Sequence, residues 1–182
     1  MPRLFVAIDL PETAKDALES LQCGLPGARW VPRDQLHLTL AFIGDVDGGM
    51  AADARAALRS VDDPGFPISL RGLGHFPPRG EPHVAWAGLR PSEPLARLQR
   101  SVERILDRAG CEIERRKFHP HVTLARLKDT PPRRMAEWLG AHGHFETGAL
   151  PVIEVVLYSS LLGSTGAVHS VEEVFPLRSV GD

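Results

Sequence analysis

One nine-residue segment occurs twice. His37-Leu38-Thr39-Leu40-Ala41-Phe42-Ile43-Gly44-Asp45 and His121-Val122-Thr123-Leu124-Ala125-Arg126-Leu127-Lys128-Asp129 share His, Thr, Leu, Ala and Asp, 84 residues apart in a chain of 182. Each copy is followed by a helical pattern and then by two strand-like runs, so the chain reads as a duplicated unit, two lobes related by pseudo-symmetry. Side chains alternate along a strand, which puts His37 and Thr39 on one face about 7 Å apart, with Leu38 and Leu40 on the other. The same holds for His121 and Thr123 above Val122 and Leu124. Strict alternation places Phe42 opposite His37, and Arg126 opposite His121, unless the strand twists or ends there.

A single His-x-Thr on a strand is common and is usually a hydrogen-bonded structural feature. The paired copies in matching context point further. If the lobes pack about a two-fold axis, the polar faces meet across a cleft holding two imidazoles and two hydroxyls. One neutral imidazole serves as a base and one protonated imidazole as an acid. Each threonine hydroxyl can donate to an anionic oxygen. That set suits phosphoryl chemistry without a metal.

The rest of the chain supplies a scaffold. Leu4–Ile8 is a short apolar, β-rich run and reads as a buried strand. Ala14, Leu18, Leu21 and Leu25 mark a helix opened by Pro11-Glu12, and Trp30-Val31-Pro32 a short extended piece. Met50 to Val61 carries a second helical stripe. Residues 66–73 and 83–89 read as strands around the loop Phe76-Pro77-Pro78-Arg79-Gly80-Glu81-Pro82. Ser92 can cap a third helix with Pro94 in its first turn and Leu95, Leu98, Val102 and Ile105 on its face. Residues 113–116 read as a short strand, 122–127 as a surer one. A fourth helix carries Met135, Trp138 and Leu139. Strands at 152–158 and 168–175 close the chain. Paired strands with helices between them favour α+β over a doubly wound α/β sheet.

Composition narrows the class. Hydrophobic residues make up 43% and charged residues 24%, the balance of a soluble globular chain. No apolar run approaches the ~20 residues of a membrane span. Asp9 interrupts the apolar N-terminus, so no secretory core is expected there. Two cysteines, Cys23 and Cys111, supply no disulfide framework, and both are expected to be partly buried and unreactive. A reduced, cytoplasmic protein is the expectation. Net charge is only −2, yet Arg115, Arg116, Lys117, Arg126, Lys128, Arg133 and Arg134 face Asp129 alone within one stretch. Such a run is either a solvated face or an anion-attracting one.

The two motifs resemble those of the 2H phosphoesterase superfamily, and more specifically the bacterial and archaeal RNA 2',3'-cyclic phosphodiesterases, formerly called 2'-5' RNA ligases. Arg3 to Pro11, Leu36 to Gly44, Gly74-His75-Phe76-Pro77, Phe118 to Arg126 and Val155 to Ser160 carry the resemblance in order, over residues 3 to 177. It implies a single bilobal α+β domain over residues 1–182, with an antiparallel sheet and flanking helices in each lobe and the site between them. It implies hydrolysis of a 2',3'-cyclic phosphate at an RNA end to a 2'-phosphomonoester, with no metal and no organic cofactor. By the family pattern His37 gives a proton to the departing 3'-oxygen and His121 activates water. Thr39 and Thr123 hold the non-bridging oxygens. Arg126 resembles a phosphate-side arginine and Phe42 a base-stacking aromatic. His169 stands near a position where the family often has an aromatic. The expected partners are RNA ends with a cyclic phosphate, tRNA fragments or cyclic nucleotides, with no membrane and no obligate protein partner, on a monomer.

Two other activities remain open at this level: 2'-5' ligation in the same site, and nucleotide binding without turnover. His37, His119 and His121 could also be grouped as a three-histidine metal site, although no acidic partner is fixed by spacing. His75, His83, His142 and His144 read as surface histidines, and Trp30, Trp86 and Trp138 as packing residues.

Overall fold

The computed structural model describes residues 3–164 and 166–179. Its elements run β1 (Arg3–Asp9), α1 (Glu12–Glu19), β2 (Ala28–Trp30), β3 (His37–Asp45), α2 (Gly48–Leu58), β4 (Phe66–Ile68), β5 (Leu70–Phe76), β6 (Val84–Leu89), α3 (Glu93–Arg108), β7 (Val122–Leu127), α4 (Pro132–Ala141), β8 (Leu150–Val152), β9 (Glu154–Gly163) and β10 (Gly166–Pro176). A 3-10 turn, Arg33–Gln35, leads into β3.

Eight strands form one sheet in the order β10-β9-β1-β3-β7-β6-β5, with β2 also paired to β7. Every pairing between these strands is antiparallel. The two motif strands meet at the centre through one pair, Leu38 opposite Val122. These residues occupy the same place in the two copies, 84 residues apart. Equivalent residues of two antiparallel strands lie opposite each other only where a two-fold axis passes between them. The second sheet repeats the observation: β4 pairs with β8 through Pro67 opposite Pro151, again 84 residues apart. One pseudo-two-fold relation thus accounts for both pairings. β6 stands to β7 as β1 stands to β3, and β9 matches β5, so the two repeats exchange strands: β5 of the first repeat lies beside β6 of the second, and β9 of the second lies beside β1 of the first.

One face of the sheet is dry. Leu4, Val6 and Ile8 of β1, Leu38 and Leu40 of β3, and Val122 and Leu124 of β7 share a contiguous core with residues of all four helices and of β4 and β8. Alternation requires this: the remaining members of each strand face the other way. There Phe5, Ala7, Val156 and Tyr158 make a separate small cluster beneath the site.

The Ser92 cap expected from the sequence forms, and Asp47, which the sequence reading did not single out, caps α2. Ser92 Oγ accepts from Leu95 N at 3.3 Å, and Asp47 Oδ1 caps α2 through Met50 N at 2.8 Å. Three expectations change. The run 66–73 divides into β4 and β5, which belong to different sheets. Residues 113–116 form no strand; Glu114 N instead donates to the Phe42 carbonyl at 3.0 Å. Cys23 is exposed, while Cys111 is buried. Among the described residues no helix is long and apolar enough to cross a membrane.

Candidate active site

His37 opens β3 and His121 immediately precedes β7. Their rings are held in the same way. His37 Nδ1 lies 2.7 Å from the Gln35 carbonyl, and His121 Nδ1 lies 2.6 Å from the His119 carbonyl. A carbonyl only accepts, so each Nδ1 carries the hydrogen and each Nε2 is left as the nitrogen that titrates. The anchor comes from two residues upstream in both copies, so a backbone feature of the repeat fixes both tautomers. Thr39 and Thr123 are half-buried on the faces of their histidines, with buried residues between them.

The structure corrects the alternation expected for Phe42 and Arg126. Along β1, Ala7 faces Thr39 and Val6 faces Ala41, which leaves Leu40 as an extra residue. Along β6, Trp86 faces Thr123 and Ala85 faces Ala125, which leaves Leu124 extra. A bulge adds one residue to one strand and reverses the parity beyond it. Phe42 and Arg126 therefore return to the faces of His37 and His121. Phe42 is 50% exposed, and its ring lies 6.0 Å from Phe5, whose ring is 4.9 Å from His37. Arg126 is near enough to His121 for its charge to lower the imidazole pKa.

Burial governs both imidazoles. Desolvation drives His37 down to about 4, partly opposed by the Gln35 carbonyl, while the neighbouring His169 and His121 lower it further. Desolvation also lowers His121, with His119 and Arg126 adding to the effect and the His119 carbonyl opposing it. Neighbouring rings complete the environment. Tyr158 stacks on Phe5 at 5.2 Å, and burial raises its phenol to about 12. His169, on β10 opposite Ser160, packs edge-on at 5.4 Å from His37 and 5.0 Å from Phe5. Burial lowers its own pKa. Around the second motif, Phe76 lies 5.0 Å from His121 and Trp86 lies 6.3 Å from it.

Sequence reading did not place Phe5, Phe76 and Tyr158 beside the histidines; Trp86, read as packing, packs against Phe76 and His119. Cross-strand register brings them in, and that register is not visible in one strand alone. His75 is not a surface residue: it lies on β5, and its Nδ1 is buried without a hydrogen-bond partner, as are Trp86 Nε1 and His169 Nδ1. Trp138 is core, its indole donating to the Leu21 carbonyl at 3.2 Å. The basic run is partly neutralised: Arg115 pairs with Asp107, Arg116 with Glu114, and Arg133 and Arg134 with Glu137. Among the described residues no three His, Cys, Asp or Glu side chains group as metal ligands.

A sequence profile described as the 2'-5' RNA ligase superfamily matches residues 10–163. The chain belongs to that superfamily. An Aeropyrum pernix member named RNA 2',3'-cyclic phosphodiesterase is 37% identical over 148 residues, covering 80% of this chain and 84% of its own. Among solved superfamily-like folds, a Thermus thermophilus protein, TT0787, superposes with TM-score 0.82 at 31% identity, covering 98% of this chain and 100% of its own. E. coli LigT, solved with 3'-AMP, gives TM-score 0.75 at 27% identity over 97% of this chain and 99% of its own. For the superfamily, these coverages place the resemblance across both copies of the motif.

Proposed function

We propose that the cleft hydrolyses 2',3'-cyclic phosphates at RNA ends to 2'-phosphomonoesters. The observation that carries this reading is the symmetric imidazole pair, each ring anchored through Nδ1 to a carbonyl so that Nε2 exchanges the proton. The activity in the Aeropyrum relative's name is one such a pair can perform.

In this reading His121 Nε2 takes a proton from water, whose oxygen attacks phosphorus. The P–O3' bond breaks as His37 delivers its proton to the 3'-oxygen, leaving the phosphate on the 2'-oxygen. Thr39 and Thr123 donate to the non-bridging oxygens, Arg126 balances their charge, and Phe42 offers a face to the base. No metal takes part. A donor with a pKa of about 4 is neutral near pH 7 until substrate arrives. The cyclic phosphodiester carries a negative charge, and an anion beside an imidazole raises its pKa. Binding thus charges the acid it needs.

Incubation with a 2',3'-cyclic nucleotide should add the mass of one water and give the 2'-phosphate, and EDTA should not slow it. Unchanged nucleotide would leave a binding module. A 3'-phosphate product would reverse the assigned leaving group, and activity lost to chelator and restored by a divalent ion would require a metal.

A further inference from the structure

A groove of about 480 Å³ lies over β5 and β6 and reaches His119, two residues before His121. Arg71 and Leu73 of β5, Trp86 of β6, and Arg90, His119 and Pro120 bound it. It is continuous with the site: the His119 ring sits 5.1 Å from Trp86, and His119 supplies the carbonyl that anchors His121.

The floor is built for a flat ring. Gly74 lies directly opposite Trp86 in the β5–β6 pair. A side chain at Gly74 would overlap the indole, and one at Gly88 would meet it at 3.3 Å. Two glycines therefore let the indole lie across the strands. In the first half of the sheet the matching pairs are Phe5 opposite Tyr158 and Ala7 opposite Val156, so the tryptophan-over-glycine pair occurs in the second half. Its rim is cationic. Arg90 is held by Glu146, whereas the exposed Arg71 has no ion pair or side-chain hydrogen bond among the described residues.

We infer that this groove binds the penultimate nucleotide of the RNA strand, its base on Trp86 and its phosphate near Arg71. The inference rests on the function proposed above. A 2',3'-cyclic phosphate occupies the last ribose, so the strand continues only on the 5' side, and a groove adjoining the reacting phosphate meets the next nucleotide. The volume lies within the ~300–1,000 Å³ of small-ligand sites and suits one nucleotide. Base–aromatic stacking contributes about 1–3 kcal/mol, a factor of roughly 5 to 150.

The test compares kcat/KM for cytidine 2',3'-cyclic phosphate with that for a dinucleotide ending in the same group. The wild type should favour the dinucleotide at least about fivefold. Trp86→Ala should bring that ratio close to one, Trp86→Phe should keep most of it, and Arg71→Gln should lower it while leaving mononucleotide turnover unchanged. A wild-type ratio of one, or equal losses on both substrates in Trp86→Ala and Arg71→Gln, would overturn the inference. Affinity for the 2'-phosphate products is measured in parallel. If neither cyclic substrate turns over, the proposed function fails, and tighter binding of the dinucleotide product that is lost in Arg71→Gln still supports the groove; equal binding of both products sinks it.

Discussion

The proton donor proposed at His37 stands in a site that disfavours its charged form, and this sets its behaviour with pH. In the free enzyme both imidazoles lie below their ordinary range. Bound phosphate raises both, because an anion stabilises the imidazolium. The limbs of the kcat profile should therefore lie at higher pH than those of kcat/KM, which reports the free enzyme. Coincident limbs would show that substrate charge does not tune the pair. The same depression acts on stability. The unfolded chain takes up a proton at His37 near 6.5 and the folded chain only near 4, so stability is intact above the first value and falls as pH drops through the window. The ceiling for this one group is about 3 kcal/mol. Denaturant midpoints between pH 7 and 4 should fall less in His37→Asn than in the wild type; equal falls would remove His37 as a source of acid sensitivity.

At the scale of elements, the bulges at Leu40 and Leu124 decide which side chains serve the site. Alternation read from the sequence places His37, Thr39, His121 and Thr123 correctly, since nothing interrupts either strand between His and Thr. It fails one turn of the pleat later. A bulge is a relation between two strands, and β1 and β6 carry no mark in β3 or β7 that reveals it. The short β8 is illegible for a related reason: three residues, one of them Pro151, show no period of their own and exist as a strand through pairing with β4. Re-aiming by the bulge can be measured. Removing the Arg126 charge should raise the His121 pKa, because that cation lowers it in the wild type. Imidazole titration by NMR in Arg126→Gln should show the rise, with His37 little changed. An unmoved His121 would put Arg126 on the far face, as plain alternation has it.

At the scale of the molecule, duplication is legible in the sequence but the exchange of strands is not. The 84-residue offset locates the axis once Leu38 faces Val122 and Pro67 faces Pro151; nothing in either copy says that β5 and β9 cross to the other half. That exchange has a thermodynamic consequence. Neither half of the chain owns a complete sheet, and the dry face of both halves is one contiguous core. Leu38 and Val122 are fully buried at the seam. Leu38→Ala should cost about 2–5 kcal/mol through lost burial and a residual cavity. If the halves were independent lobes, that loss would destabilise β1 and its neighbours and spare β6. With exchanged strands and a shared core, both halves should lose protection together. Native-state hydrogen exchange in Leu38→Ala checks this directly: amides of β1 and β6 should fall by the same free energy as the global midpoint. Protection retained in β6 while β1 opens would show two separately stable lobes, and the cleft would then rest on a hinge between them rather than on one continuous sheet.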